Sequence, residues 1–397
     1  MPRTFRQNRP GFITLMAVVA AVFLFIIGVG LLTLGFNRRL YSIRSNHQLA
    51  ARCAADYGLT KAVHEMNLRL PAVNNSNLPA DNNTIPGNNA TYSYTVTGSY
   101  PNYSVTAHGT SGPITKTVSC DLRLKSIFEY AILTKDTLDI GSVSTVNCPN
   151  NCDGIPLKIG TTNNPNTNAQ ITLKPNSTVE GDILLGQGGI PSLVIGAGAT
   201  YGNIYAVATD FDLPKPTVPS YLSSAGPGGN ISNPAAITSG NYKYQNLSLG
   251  AFKTLTITGN VQLYITGDIT LGNKANIILA PNAKLTIYLE GELEGKNGTG
   301  FSNSGDPSQL AIYGVPTCVD DICASGDINI KNSDDFHGTI YAPDAYVHIY
   351  NSVTVFGSII AKDYKQDNSA VFTYDARLRE PTDANLIRYV PSHWQEL

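Results

Sequence analysis

The chain has 397 residues, with 27 Lys and Arg against 29 Asp and Glu, so its net charge is −2. This near-neutrality excludes a broad nucleic-acid-binding surface, which needs concentrated positive charge. Hydrophobic residues make up 42 % of the chain, which is enough for packed cores and argues against disorder. Only 14 % of residues are charged, and there are 36 Gly and 23 Pro. This composition indicates a turn-rich, β-rich extracellular protein and not a cytoplasmic enzyme.

The first predicted element is an apolar helix. Residues 12–36 carry no charge, and a membrane-spanning helix needs roughly 20 such residues. A cleavable secretory signal has a shorter apolar core and a small-residue cleavage site after it, whereas Asn37, Arg38 and Arg39 follow this run. The run therefore predicts a single membrane-spanning segment, with the basic residues before it held inside.

The helical pattern continues beyond the apolar run. Residues 37–68 contain no Pro and only one Gly, Gly58, and their alanines fall near a helical spacing. Pro71 ends the pattern because proline cannot continue a helix. We therefore predict a stem helix within residues 12–70, of about 85 Å at 1.5 Å per residue.

Two stretches of this stem resemble a known family. Gly11-Phe12-Ile13-Thr14-Leu15 is similar to a prepilin peptidase site, and the Ala-rich residues 50–59 are similar to the stems of PilX-type minor pilins. The resemblance to type IV pilin-like proteins implies a leader, residues 1–11, that prepilin peptidase removes between Gly11 and Phe12. The sequence departs from the family at Met16, where most pilins have Glu.

The same resemblance implies partners and a location. Such proteins wait as single-pass proteins in the bacterial inner membrane and are then drawn into a filament in the periplasm or at the cell surface. Their apolar stems pack against the stems of other pilin-like subunits in the filament centre, and their heads face outward.

Residues 71–126 predict a small β module packed on the stem. An Asn- and Pro-rich loop is followed by alternating β-branched and aromatic residues at 91–97 and 103–107, which indicate a hairpin. Residues 115–124 supply a third strand.

Residues 127–378 predict a right-handed parallel β-helix or β-solenoid. A Gly-x-Ile-x unit recurs at Gly181, Gly202, Gly338 and Gly357 with a spacing near 20 residues. A β-sandwich is the alternative. Residues 170–378 also resemble solenoid domains attached to PilX-type stems. The fold class is therefore mainly β with a long N-terminal α-helix.

Two segments of this region fall outside the repeat. Five prolines in residues 209–245 predict a loop or insertion crossing the solenoid face, and residues 379–397 are expected to form a C-terminal tail.

Six cysteines allow 15 pairings. Spacing favours two local disulfides, Cys148–Cys152 and Cys318–Cys323, which leaves Cys53 to pair with Cys120. A zinc site is compatible with the short gaps, but disulfides in an oxidising envelope are the simpler account.

The sequence predicts no catalytic constellation, no metal and no cofactor. Residues 196–202 resemble a dinucleotide loop but lack its strand-to-helix context, which favours a β-turn corner. Dense carboxylates occur only at 320–321 and 334–335, near Lys331, where a Ca²⁺-dependent polysaccharide lyase would place them. Solvated loop acids are the simpler interpretation, and His337 and His348 are expected to be surface or ladder residues.

Two classes of function remain. The first is a minor pilin-like structural or adhesive subunit without chemistry of its own, with tyrosines as a possible contact surface for a surface or polysaccharide ligand. The alternative is a membrane-anchored β-helix protein that binds or cleaves polysaccharide. A prepilin-type junction and a helix extending past the bilayer favour the first.

Overall fold

The computed structural model describes residues 10–69, 78–87, 89–162, 170–186, 193–206, 213–226, 228–303, 305–319, 322–331, 335–380 and 387–397. The chain divides into two compact units. The first contains residues 1–124 and 389–397, and the second contains residues 125–388.

The first unit is built on one long helix, α1, Pro10–Leu68, which confirms the predicted stem. Between His47 and Leu68 one face of α1 is buried, and most of its side chains are small. These buried residues are Ala51, Ala54, Ala55, Leu59, Ala62 and Met66. Small side chains let the helix backbone approach a sheet closely, and Ala and Leu also favour the helix intrinsically.

An antiparallel sheet packs on this face of α1. The strands are β1 (Ala80–Thr84), β2 (Thr91–Ser99), β3 (Asn102–Ser111), β4 (Ile114–Ser126) and β30 (Ile387–Glu396), in the order β1-β2-β3-β4-β30. The predicted hairpin and third strand are β2, β3 and β4. Their inward side chains alternate with exposed ones, as a sheet with one buried face requires.

The predicted C-terminal tail, residues 379–397, is wrong. Residues from 387 onward form β30, the fifth strand of this sheet. Tyr389 is buried, and its ring meets Tyr103 edge to face at 5.5 Å. Asn67 of α1 accepts a hydrogen bond from the Tyr389 N–H (2.6 Å) and donates one to the Tyr389 carbonyl (3.1 Å). The sheet is therefore completed only by the last residues of the chain.

The second unit is a stack of short parallel strands. In chain order these are β5 (Ile132–Thr134), β6 (Leu138–Ile140), β7 (Thr145–Asn147), β8 (Leu157–Thr161), β9 (Ile171–Leu173), β10 (Thr178–Val179), β11 (Gly181–Leu185), β12 (Leu193–Ile195), β13 (Ile204–Ala206), β14 (Ile231–Ser232), β15 (Ala236–Tyr244), β16 (Leu247–Leu249), β17 (Thr254–Ile265), β18 (Ile269–Leu271), β19 (Asn276–Leu279), β20 (Lys284–Leu289), β21 (Leu293–Gly295), β22 (Gly300–Ser302), β23 (Leu310–Gly314), β26 (Ile328–Ile330), β27 (Phe336–Ile349), β28 (Thr354–Gln366) and β29 (Val371–Tyr374). A short antiparallel hairpin, β24 (Thr317–Val319) and β25 (Ile322–Ala324), and a one-turn helix, α2 (Ser220–Ser223), complete the unit.

The strands form three ladders around one core. Ladder A runs β13-β11-β8-β5-β28-β27-β23-β20-β17-β15. Ladder B runs β12-β9-β6-β28-β27-β26-β21-β18-β16-β14. Ladder C runs β10-β7-β29-β28-β27-β22-β19-β17-β15. The long strands bend and serve two or three ladders. This is a solenoid-like closed core, as predicted; its right-handedness stays a prediction.

Columns of identical side chains explain why the coils stack in register. In ladder A seven isoleucines occupy equivalent inward positions, and all are at most 1 % exposed. They are Ile183, Ile159, Ile132, Ile359, Ile340, Ile312 and Ile287. β-Branched side chains suit a pleated surface that is buried, and a slip by one residue would turn each column outward.

The recurring glycines lie where backbones of successive coils come closest. Gly338 and Gly357 are register partners, and a Cβ on Gly357 would lie 1.8 Å from the Gly338 carbonyl oxygen. A Cβ on Gly202 would lie 2.6 Å from the Gly181 carbonyl oxygen. The repeat seen in the sequence is therefore a corner that only glycine fits.

The coils do not follow one another in sequence order. β28 pairs with β27 on one side and with β5 and β6 on the other. The strands that begin the solenoid thus pack against those that end it, and we call this junction the seam. From the seam the chain winds to β12 and β13 at one end of the stack, then restarts at β14 and winds back.

Polar groups concentrate at the seam. Ser358 Oγ donates to the Tyr130 carbonyl oxygen at 2.6 Å, and Tyr374 OH donates to the Phe128 carbonyl oxygen at 2.7 Å. Gln366 replaces an aliphatic residue of the inward column and is fully buried. It accepts from Tyr364 OH at 3.0 Å and donates to the Ala370 carbonyl oxygen at 2.8 Å. These bonds satisfy the buried groups, as a low-dielectric interior demands.

The predicted insertion at 209–245 is wrong in part. Residues 213–226, including α2, do cover the outer side of ladder A, and Tyr341 OH donates to the Pro214 carbonyl oxygen at 2.5 Å. However, residues 231–232 and 236–244 are β14 and β15, which belong to the ladders. Residues 209–212 lie outside the described residues. The prolines lie in or beside the segment that crosses ladder A, residues 213–226, which we call the crossing. They do not mark a separate insertion.

We predict that Gly109→Ala destabilises the first unit by about 2–3 kcal/mol, because a Cβ there would lie 2.1 Å from the Ala51 carbonyl oxygen and 2.3 Å from the Ala55 nitrogen. Denaturant unfolding of the detergent-solubilised chain, followed by hydrogen exchange in β2–β4, measures this. His108→Ala, on the exposed side of the same strand, is the matched control and should change stability by about 0.5 kcal/mol or less. Equal stability of the two variants would contradict the close helix–strand contact.

Candidate functional site: the stem helix and the solenoid surfaces

The first half of α1 is apolar on every side and packs on nothing in the described structure. Its consecutive residues Leu24, Phe25 and Ile26 point in different directions around the helix and are 70 %, 72 % and 61 % exposed. A helix that is apolar all round belongs in a membrane or in the centre of an assembly. By length and composition, α1 is long and apolar enough to span a bilayer.

The predicted processing site lies at the start of this helix. The backbone of Gly11 and Phe12 is helical, while their side chains fall outside the described residues. Met16, one turn further on, is 59 % exposed and carries no carboxylate.

The second half of α1 is clamped to its sheet by polar contacts. Lys61 Nζ and Tyr92 OH both donate to Asp81 Oδ2, the latter at 2.8 Å. The hydrogen bonds from Lys61 and Tyr92 hold the pKa of Asp81 below its usual range. Glu396 of β30 bonds Arg52 of α1 and also Lys116 of β4 at 2.8 Å. The stem is therefore tied to both edges of the sheet.

The cysteines follow the sequence prediction only in part. The structure contains both local disulfides, Cys148–Cys152 and Cys318–Cys323. The loop at Cys152 is held further by Arg379, which donates to the Cys152 carbonyl oxygen at 3.2 Å.

The predicted Cys53–Cys120 pairing is wrong. Cys53 is exposed on α1, whereas Cys120 lies on β4 and is buried in the core between α1 and the sheet. Both are free thiols. Cys53 lies on the outer side of the helix, away from the buried alanine face that contacts β3. Spacing alone could not show this, because it does not reveal which face of the helix a residue occupies. Burial, with a smaller contribution from Asp121, raises the pKa of the Cys120 thiol to about 11.

The carboxylates predicted for a lyase do not assemble a site in the described residues. Asp320, Asp321 and Asp334 lie outside them, and Asp335 faces His337 at 4.0 Å. Lys331 Nζ donates to Glu294 at 3.0 Å. Within the described part of the chain there is no group of three His, Cys, Asp or Glu side chains that could hold a metal.

Residues 196–202 form a corner, as their spacing indicated. They follow β12, and Gly198 has a φ of +75°. Its Cβ position lies 2.5 Å from Asn176 Oδ1 of the next coil, so the glycine serves close packing between coils. The strand-to-helix context of a phosphate loop is absent from the described residues here.

The solenoid tyrosines are mostly structural. Four of them form an outward column in ladder A: Tyr264, Tyr288, Tyr313 and Tyr341. All are at most 9 % exposed because the crossing residues 213–226 cover this ladder. These four tyrosines therefore offer no contact surface, and among the described outward residues of ladder A the exposed tyrosine is Tyr205, at the end of the ladder.

Ladders B and C differ in charge, which sequence patterns did not reveal. The outward column of ladder B includes Asp139, Lys365, His348 and Glu294. His348 is 3.1 Å from Asp367, and burial lowers its pKa, although Asp367 opposes this shift. The strand segments that pair in ladder C, such as residues 254–257 of β17 and 354–357 of β28, contain no Asp, Glu, Lys or Arg among the described residues. In the sequence, this difference is indicated by the Thr-rich composition of strands such as β17. The composition can be assigned to one surface of the solenoid only once the register of the strands is known.

Comparison with known proteins gives limited matches. Residues 214–381 match a domain of unknown function, DUF7305. A comparison with curated proteins gives no match. The competence-associated pilin ComZ of Thermus thermophilus is similar at 12 % identity, covering 88 % of this chain and 98 % of that chain, with a TM-score of 0.25.

An ice-binding protein from an Antarctic Flavobacteriaceae bacterium is similar at 11 % identity, covering 64 % of this chain and 81 % of that chain, with a TM-score of 0.23. TM-scores of this size do not establish a shared fold with either protein.

We predict that a maleimide reagent labels Cys53 in the folded protein and Cys120 only after unfolding, because Cys120 is buried with a raised pKa. Intact mass should show one added group in native conditions, two after denaturation, and six after denaturation and reduction. Cys53→Ser is the control and should abolish native labelling. If neither Cys53 nor Cys120 reacted in the denatured, unreduced chain, the result would show that the two residues form a disulfide.

Proposed function

We propose that this protein is a minor pilin-like subunit, structural or adhesive, of a type IV pilus or a related filament or secretion system. The observation that carries the proposal is the single helix α1. Its first half is apolar and exposed on all sides, and its second half packs a small-residue face on an antiparallel sheet. One continuous element thus joins a membrane or filament core to a folded head.

The apolar first half of the stem is suited to two successive environments, first a bilayer and then contact with other stems. Burying apolar surface yields roughly 25 cal/mol per Å², so the uncovered first half of α1 gains strongly from a bilayer or from other stems. The inner membrane satisfies this demand before assembly, and neighbouring pilin-like subunits satisfy it in the filament. Prepilin peptidase processing at Gly11–Phe12 connects the two states.

A polysaccharide-binding head is the second candidate, and ladder C favours it. Its outward residues include hydroxyl, amide and apolar side chains such as Thr254, Thr256 and Ile278, and the described ladder C segments contain no Asp, Glu, Lys or Arg. Such a surface suits a neutral polymer better than an anionic one. Binding of the purified chain to an array of neutral glycans separates an adhesive head from a purely structural one.

We predict cleavage between Gly11 and Phe12, so that the mature protein begins at Phe12. Co-expression with a prepilin peptidase and N-terminal sequencing measures this. Gly11→Val should leave the leader in place because a branched side chain obstructs the peptidase. Gly28→Ala, in the same helix with open space around it, should be processed normally. An intact Met1 on the wild-type protein after co-expression would refute the processing step.

We predict that the protein is rare or terminal in its filament. In pilin-like proteins the Glu at the position of Met16 is thought to neutralise the terminal amine of a neighbouring stem, and an unpaired charge in an apolar core is costly. A filament of this chain alone would stack uncompensated amines, and its large head would repeat at every step.

Immunogold labelling of purified filaments measures the placement. Labels should be sparse or at the tips, and Met16→Glu should be tolerated, while Met16→Leu is the control that adds no charge. Uniform decoration at the stoichiometry of the major subunit would contradict the prediction.

A further inference from the structure

Three arginines follow the apolar half of α1 directly. Arg38, Arg39 and Arg44 are exposed, and none has an ion-pair partner among the described residues. The first acidic residue of the whole chain is Asp56. The helix therefore leaves its apolar segment through a zone that is cationic only.

Their position along the axis matches a headgroup layer. The uncharged residues 12–36 span about 37 Å at 1.5 Å per residue, which crosses a hydrocarbon core of about 30 Å with moderate tilt. Arg38 to Arg44 covers about 9 Å more, and a headgroup layer is roughly 5–8 Å thick on each side. Tyr41, which is 71 % exposed, is an aromatic residue of the kind that favours this interface.

Their position around the axis points to a surrounding ligand. At about 100° per residue, Arg39 lies about 100° from Arg38, and Arg44 lies about 240° from it. The three guanidinium groups thus encircle the helix. A protein partner docks on one face, whereas lipid headgroups surround a helix on every side.

Arg52 differs from these three arginines in its ion pairing. It lies further along the same helix, and Asp56 at 3.6 Å and Glu396 neutralise it. Arg52, which contacts β30, is therefore paired with acids, unlike the three arginines beside the apolar segment. Those beside the apolar segment are left for a ligand that brings its own negative charge.

We propose that Arg38, Arg39 and Arg44 form a collar that binds the phosphates of anionic phospholipids in the outer leaflet of the membrane. This rests on the proposed function, in which α1 is inserted before assembly. Guanidinium groups bind phosphate oxygens with two hydrogen bonds each. The collar sets the depth at which the stem waits in the bilayer.

The test uses the full-length chain in bilayers of equal parts phosphatidylcholine and phosphatidylglycerol. Native mass spectrometry counts the lipids that stay bound when the chain is released. Wild type should retain phosphatidylglycerol in excess over the bulk ratio. The excess should fall about fivefold for each arginine replaced by glutamine, since each contributes about a fivefold preference near a surface, and should shrink at high salt.

Two further variants make the outcome decisive. Arg38→Lys with Arg39→Lys and Arg44→Lys keeps the charge and should keep most of the enrichment. Lys215→Gln with Lys253→Gln and Lys284→Gln removes the same charge from exposed solenoid positions and should leave it unchanged. Wild type at the bulk ratio, or a glutamine variant as enriched as wild type, would overturn the collar.

Carbonate extraction of the same samples separates this failure from a failure of the proposed function. A chain that resists extraction but shows no lipid preference overturns the collar alone. A wild-type chain that carbonate removes from the bilayer contradicts membrane insertion itself, and with it the collar.

Discussion

The seam between β28 and the strands β5 and β6 is the contact on which the second unit depends. Every other coil packs on a neighbour that is close in sequence, whereas Ser358 at the seam bonds Tyr130, 228 positions away. Closing so long a loop has an entropic cost, and contacts of this separation slow folding. The buried hydrogen bonds of Ser358, Tyr374 and Gln366 define the correct partner, because an aliphatic column alone would accept any coil.

The seam also leaves strands unpaired while the chain is still being synthesised. Until residues 354–374 arrive, β5, β6 and β7 lack their partners on one side and expose unpaired backbone groups. Such edges promote association with other chains. The antiparallel sheet of the first unit carries a similar constraint, because its strand β30 is far from β4 in sequence and depends on Asn67 and Tyr103 for its place. Both units therefore depend on pairing between segments that are far apart in the sequence.

Local regularities decided how much of the fold the sequence could predict. The helix, the hairpin at 91–111 and the Gly338–Gly357 repeat rest on spacings of a few residues or on one repeated corner, and all are present. The seam, β30 and the place of β14 and β15 depend on partners far away in sequence, and no spacing encodes them. Prolines near β14 suggested an insertion, although they mark only the crossing beside it.

The candidate site divides in the same way. The apolar stem was predictable because its apolar character depends on composition alone. The free thiol of Cys53 and the burial of the tyrosine column were not, because each depends on which side of an element faces a neighbour. The uncharged surface of ladder C emerges only from the register of nine strands, each of which looks unremarkable in sequence.

The connection between β13 and β14 bears on how this domain can change in evolution. β13 ends ladder A, and β14 ends ladder B at the opposite end of the stack, which has ten levels and is roughly 43 Å high at about 4.8 Å per level. The residues between Ala206 and Ile231 could span about 80 Å if fully extended. The connection therefore has slack for several more levels. Duplication of a coil between β17 and β23 would lengthen the solenoid, but it would also move Tyr341 away from Gln262. The contacts that Pro214 and Tyr221 make with ladder A would then have to re-form, so the height of this solenoid is coupled to the packing of its crossing.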